Sequence, residues 1–359
     1  MALNTDYRSA IELTGAAQAA AEAFERSMPL TEWLPFHSNP TLTYSFDASG
    51  VTPVDVAEYR SFDTPAPYGT LGKKITKEGH LPPISRKLPV SEYTQLQYAG
   101  RLTMLGSVLD DYAARLGVGI AARVEIARVQ AVTTGRVILA ENGVSATIDY
   151  GRDPGLTLPL PVSAKQWTHS KALPVDDLIA WRDLVKVKSL GSVPMAILMS
   201  NQVMNTLMTN PQIVSYALGR TNDLPSRVSA NDVRTVLAGY AGLSRVVIAD
   251  EAYATYNFGR TVFPVGTVVL LPPAGVLSVD GSGSLGTTDY GVTAEAIQPE
   301  YGIPAGEQSG IFGGAFGHHD PEGLDVLCSA VALPLVQRSN ATLAAQVIAV
   351  SGEPEPEGE

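Results

Sequence analysis

The chain has 359 residues, 45% of them hydrophobic, which is enough to bury one large core or two modest ones. Its formal charge of -11 and pI near 5.0 argue against a protein built to grip nucleic-acid phosphates, because such binding needs clustered Lys and Arg. An acidic surface keeps a concentrated protein in solution, and it would sit beside DNA without adhering to it.

From Tyr7 to Met28, the run Ala16-Ala17-Gln18-Ala19-Ala20-Ala21-Glu22-Ala23-Phe24-Glu25-Arg26 has a strong helix composition but little apolar bulk. It reads either as a docking arm or as a terminal helix packed on its own domain. Asp6, Arg8, Glu12, Glu22, Glu25 and Arg26 break the stretch up, unlike a secretory signal, and no apolar run reaches membrane-spanning length. The expectation is a protein that is cytoplasmic at synthesis and stays soluble. Between Thr41 and Pro89 comes a polar stretch punctuated by Gly and Pro, including Thr64-Pro65-Ala66-Pro67-Tyr68-Gly69. It predicts a long two-stranded excursion with too few large apolar residues for a core of its own, so it must be disordered or lie on a partner.

From Ser91 to Thr134 apolar residues recur at helical steps: Leu102, Leu105, Leu109, Tyr112, Leu116, Ile120 and Val124. At 1.5 Å per residue, about 40 residues would make a rod of roughly 60 Å. Gly100, Gly106, Gly117 and Gly119 lie within it and leave two shorter helices open as an alternative. Gly135 ends the helix, and Arg136-Val137-Ile138-Leu139 and Ala146-Thr147-Ile148-Asp149-Tyr150 flank Glu141-Asn142-Gly143 as a hairpin does. A second region, opening near Trp167, mixes helices at Pro174 to Leu190 and Asn231 to Tyr240 with strands at Ala196 to Met199, Arg245 to Ile248 and Val265 to Leu271. Ala330 to Val350 is strand-rich, and Glu353 to Glu359 reads as a disordered acidic tail. Without strict strand-helix alternation, the class is α+β.

Candidates for chemistry have structural explanations beside them. The single cysteine, Cys328, excludes an intrachain disulfide, and its apolar surroundings from Val326 to Val331 predict a packed thiol and not a nucleophile. Gly281-Ser282-Gly283-Ser284-Leu285-Gly286 matches a dinucleotide fingerprint by letters, but Thr287-Thr288-Asp289-Tyr290-Gly291 begins no helix to hold a pyrophosphate; a loop is the natural reading. His318-His319-Asp320 offers metal-ligand types, yet consecutive side chains point apart and Gly310, Gly313, Gly314 and Gly317 indicate a mobile loop. His37, His80 and His169 stand alone, and Asp110-Asp111 and Asp176-Asp177 suit a helix face and a helix start better than an acid/base pair. No cofactor, metal or catalytic residue is expected. Lys73, Lys74, Lys77, Arg86 and Lys87 form the one basic cluster of note, with His80 among them. Lacking interleaved aromatics, it reads as an ion-pairing arm against an acidic neighbour or as a solvated basic face.

Taken in order, these pieces resemble a known family. Arg123-Val124-Glu125, Gln130 to Val137, Ile148 to Arg152, Trp167 through Asp176-Asp177-Leu178, Ala249-Asp250-Glu251-Ala252-Tyr253 and Phe263 to Leu270 look like the major capsid protein E family of lambda-type tailed phages. The resemblance implies the Hong Kong 97-like capsid fold. It would make residues 1–40 an N-terminal arm, 41–90 an extended loop over a neighbouring subunit, 91–155 with 323–350 a peripheral domain on a spine helix, and 156–322 an axial domain. It implies a virion shell of hexamers and pentamers around double-stranded DNA held without sequence specificity. Portal, scaffold and decoration proteins are the implied partners, and no membrane is. An encapsulin-like compartment shares that fold, and a small-molecule enzyme using residues 281–286 is the reading from another class.

Overall fold

The computed structural model describes residues 2–3, 5–47, 57, 59–65, 68, 76–98, 101–254, 261–275, 285–319 and 322–349. The chain opens with β1 (Ala2–Leu3), α1 (Ala10–Ser27) and β2 (Phe36–Ser38), then β3 (Thr43–Asp47), β4 (Thr76–His80), β5 (Pro83–Val90) and α2 (Glu92–Gln97). The long α3 (Leu102–Thr134) leads into β6 (Arg136–Glu141) and β7 (Val144–Asp149). Next come β8 (Thr157–Leu158), α4 (Pro174–Lys188), β9 (Ala196–Met199), α5 (Asn201–Thr209), α6 (Pro211–Leu218), α7 (Ala230–Tyr240), β10 (Arg245–Ile248) and α8 (Ala249–Ala254). Four longer-range strands finish the fold: β11 (Thr267–Leu271), β12 (Gly286–Gly291), β13 (Phe312–His319) and β14 (Glu322–Val336), with β15 (Leu343–Gln346) after them.

Two sheets organise these elements. The larger runs β1-β13-β14-β12-β2, with β5 also paired to β14 off this path; the smaller runs β10-β9-β11-β15-β8. The arrangement is α+β, as expected. In the larger sheet β12 and β13 both pair with β14, while β15 joins β11 in the smaller sheet. Strand β5, placed by composition in the loop of residues 41–90, is an antiparallel partner of β14 from Pro83 to Val90.

One helix spans Leu102 to Thr134, with short α2 before it. Gly106, Gly117 and Gly119 do not break it. Gly117 has a packing reason: a Cβ there would lie 2.3 Å from the carbonyl oxygen of Ala17 in α1. Alanines that looked too small to anchor α1 are what let its backbone approach this closely, and Leu13, Ala17, Ala21 and Phe24 are buried along the contact. The helix expected either as an arm or as a packed terminal element is packed on its own chain. At the far end, Gly135 closes α3 in the left-handed conformation at φ 73°, and Asn142 and Gly143 turn the hairpin with φ 47° and 83°, the pattern of a type I′ turn.

The glycine-rich segment expected as a mobile loop is a strand. Residues Phe312 to His319 pair in register with Glu322 to Ser329, and the missing side chains admit α1: a Cβ on Gly313 would sit 2.8 Å from the Leu13 carbonyl oxygen. Thr14 Oγ1 donates to the Gly313 carbonyl at 3.1 Å and accepts from its N–H at 3.0 Å. Glycine here serves close approach, not freedom.

Between α1, α3 and the larger sheet lies a buried ionic cluster. Arg128 has no exposed side-chain surface. Its guanidinium donates to Glu25 at 3.0 Å, Glu125 at 3.1 Å, Thr31 Oγ1 at 3.1 Å and Thr288 Oγ1 at 2.9 Å. Tyr253 donates to Glu125 at 2.9 Å and Tyr290 to Glu25 at 3.1 Å. Desolvation pushes the Glu125 carboxyl up, opposed by the adjacent Arg128, whereas the two carboxylates hold the guanidinium firmly charged against the same burial.

Replacing Arg128 by Met leaves two buried carboxylates without their cation and should cost about 3–5 kcal/mol in denaturant unfolding; a loss below 1 kcal/mol would contradict the pairing. Gly117→Val should destabilise by about 1–3 kcal/mol through overpacking against Ala17. Gly119→Ala, whose new Cβ meets nothing within 4 Å, should instead raise the melting temperature.

Candidate assembly surfaces

The end of α3 carries a lever. Arg152 donates to the carbonyls of Val132 at 2.7 Å and Thr133 at 2.6 Å, neutralising the negative end of the helix; burial lowers its pKa to about 10. Hairpin β6–β7 continues from this capped end, with Val137 and Ile148 buried at its root and Ile138 and Val144 exposed along its length. A cleft of about 290 Å³ opens between the hairpin, α3 and β5, lined by Pro83, Arg123, Leu139, Val144 and Pro334 among others. Arg123 and Glu141 bridge helix and hairpin at 3.3 Å.

Strands β3 and β4 form the base of the excursion, pairing Thr43 with His80 through Asp47 with Thr76. The base is anchored: Tyr44 and Phe46 are buried, the Phe46 and Tyr150 rings lie 5.8 Å apart, and Lys77 Nζ donates to the Asp149 carbonyl at 2.6 Å. Beyond it, Tyr59, Phe62 and Tyr68 are 108%, 99% and 101% exposed. Large aromatic rings left wholly in water are uncommon on a finished surface and mark a face awaiting a partner.

Of the basic residues singled out in the sequence, the structure describes Lys77, His80, Arg86 and Lys87. Lys73 and Lys74 lie outside the described residues. Lys77 holds Asp149, and Lys87 pairs at 2.8 Å with Asp325, which is almost fully buried. Arg86 is exposed on the neighbouring position of β5 and His80 is exposed at the end of β4. Local charge counting could not reveal these partners, since Asp149 and Asp325 are distant in sequence.

Other candidates resolve as structure. Cys328 is buried in β14, and desolvation pushes its thiol up to about 12, far from a reactive thiolate. Asp110 accepts both oxygens' worth of contact from Arg8 at 2.9 and 3.0 Å, tying the approach to α1 onto α3. Asp177 accepts from Trp167 Nε1 at 3.0 Å, and burial raises its pKa. His37, solitary in sequence, has its Nδ1 3.0 Å from Asp289 Oδ1 and joins β2 to β12. The loop Gly281 to Ser284 and Asp320 lie outside the described residues, as does the acidic tail. Among the described residues there is no grouping of three or more His, Cys, Asp or Glu suited to a metal, and no helix long and apolar enough to cross a membrane.

Comparisons with known proteins agree with this architecture. Three solved structures share the fold across nearly the whole chain. A protein assigned as the capsid protein of a prophage of E. coli CFT073 has a TM-score of 0.56 at 15% identity, covering 92% of this chain and 97% of its own. A phage-related protein from Bordetella bronchiseptica RB50 gives 0.53 at 11%, covering 95% and 97%, and the capsid of cyanophage A-1(L) gives 0.52 at 11%, covering 90% and 93%. No curated protein matches the sequence at a significant level. The family model for phage major capsid protein E matches residues 38–347, and the chain therefore belongs to the phage major capsid protein E family, with the Hong Kong 97-like capsid fold.

Proposed function

We propose that this chain builds an icosahedral phage head, assembling with itself into hexamers and pentamers that enclose double-stranded DNA, and that it performs no catalysis and takes no cofactor. The observation that carries the reading is the excursion: an anchored two-stranded base from which Tyr59, Phe62 and Tyr68 project wholly into solvent. Their exposure costs free energy that burial on another subunit would recover. The rigid body behind them, with α1, α3 and the larger sheet joined through one core, suits a tile that must keep its shape while its edges bind.

A net charge of -11 supports a shell that confines DNA without adhering to it. Portal and scaffold proteins, and a decoration protein on the outer face, are the partners that such a head would use. The extended loop of residues 41–90 would reach across a subunit boundary through its aromatic turn, and the N-terminal 1–40, whose β1, α1 and β2 lie on their own chain, would meet a neighbour through its outer face. Residues 91–155 and 323–350 would face neighbouring capsomers as the peripheral domain, and 156–322 would approach the symmetry axes as the axial domain. Lys73, Lys74, Lys77, His80, Arg86 and Lys87 remain proposed contact residues, with His80, Arg86 and Lys87 exposed among those described.

Sedimentation velocity and electron microscopy of the purified protein test this. Capsomers or closed shells should form as concentration rises, and Tyr59 to Tyr68 should lose protease sensitivity in them. A compact monomer that persists at high concentration would refute the proposal.

A further inference from the structure

The turn that carries the exposed rings is built, not merely loose. Thr64 Oγ1 donates to the Ser61 carbonyl at 2.7 Å, and the hydroxyls of Ser61 and Thr64 lie 2.7 Å apart. Arg60 Nη1 donates to the Thr64 carbonyl, and Asp63 takes φ 65° to complete the turn. Such internal bonding holds Tyr59 and Phe62 out with part of their ordering cost already met in the free chain, as a preorganised binding element requires.

A matching cleft lies elsewhere on the molecule. Bounded by α1, β2 and residues 306–311, it has a volume of about 360 Å³ and is lined by Phe36, Tyr290, Glu22, Glu25, Glu307 and Ser309, among others. The Phe36 and Tyr290 rings are 5.0 Å apart, and Phe36 is 51% exposed although it sits in a paired strand. Three carboxylates border the space. Glu25 is committed to Arg128 and Glu22 to Arg26, while Glu307 is exposed at the rim. The cleft therefore offers an aromatic wall and a negative border. The hairpin cleft lacks the aromatic wall: its lining is mostly aliphatic and proline, with Ser85 and Asn142, and its one carboxylate, Glu141, is already paired with Arg123.

We infer that the cleft between α1 and β2 receives the Tyr59 to Thr64 turn of a second copy, with Phe62 against Phe36 and Arg60 toward Glu307. The inference rests on the shell reading and names the surface on which the excursion lands. Aromatic contact supplies the buried area, and the guanidinium meets the carboxylate border, where charge complementarity favours this cleft over the hairpin side. Because turn and cleft are different surfaces, the contact is heterologous and propagates from copy to copy.

Disulfide trapping tests it in the full chain. Under mild oxidation, protein carrying Phe62→Cys with Ser309→Cys should give a ladder of covalent oligomers beyond the dimer on a non-reducing gel; either single substitution should stop at dimers. Cys328 stays silent because it is fully buried. A ladder from Phe62→Cys with Val144→Cys instead, or no ladder from either pair in protein that still assembles, overturns the assignment of the cleft. Wild-type protein that never assembles overturns the shell reading itself. As a second measurement, Glu307→Arg should raise the concentration needed for assembly by tenfold or more, whereas Glu307→Asp, which keeps the carboxylate, should leave it within about twofold of wild type. Equal assembly by all three proteins would count against the contact.

Discussion

A single guanidinium, that of Arg128, fixes the relation between parts of the chain that are far apart in sequence. Its carboxylate partners come from α1 and α3, its hydroxyl partners from Thr31 and from Thr288 in β12, and the tyrosines that complete the carboxylates come from β12 and α8. A buried charge tolerates no drift, because each displaced partner leaves a desolvated group unsatisfied. Apolar packing of Leu13, Ala17 and Phe24 on α3 provides most of the attraction, but small sliding motions cost it little. The ionic cluster sets the register of that packing, a role for buried ion pairs that differs from adding net stability.

From that fixed body the two projecting elements acquire direction. The hairpin leaves α3 through Gly135 under the cap of Arg152, and the base of the excursion is pinned to the end of the same hairpin through Lys77 and Asp149 and through Phe46 and Tyr150. Each is therefore aimed by a short chain of contacts back to the spine helix. Edge strands left unpaired invite association, and β5 carries Pro83, Arg86, Lys87 and Pro89, residues that blunt unwanted strand addition and leave recognition to the projections.

Local signals made the spine legible: a helical apolar period, a left-handed glycine at its end and an Asn-Gly turn are chemistry acting over a few residues. The helix opening at Pro174 and the buried strand at Ala196 were readable for the same reason. What stayed hidden depends on distant partners. Glu125 and Arg128 look like ordinary polar positions of a helix, and only the arrival of Glu25, Tyr253 and Tyr290 makes them a core. Glycine at 313 carries two opposite readings, freedom or close approach, and the presence of α1 decides for the second. The partners of Lys77 and Lys87 are carboxylates contributed by β7 and β14, which no local charge pattern shows. The contact turn was visible only as a polar stretch, since exposure of Tyr59 and Phe62 is a property of the folded chain.

Shells of one protein set a demanding condition: the same two surfaces must close rings of five and rings of six. A contact between flat, extensive faces holds one angle and resists the other. A narrow element that reaches from an anchored base into a shallow cleft shifts the angle between bodies by small rotations at the seat, while the ring contact and the rim ion pairs persist. Rigidity and adaptability are then divided between different residues. Arg128 and the small residues at Ala17 and Gly117 keep each subunit one shape, and the aromatic turn carries the variation between neighbours. On this division, substitutions in the buried cluster act on folding of the subunit, whereas substitutions at Phe62 or Glu307 act on association and leave the monomer's unfolding unchanged.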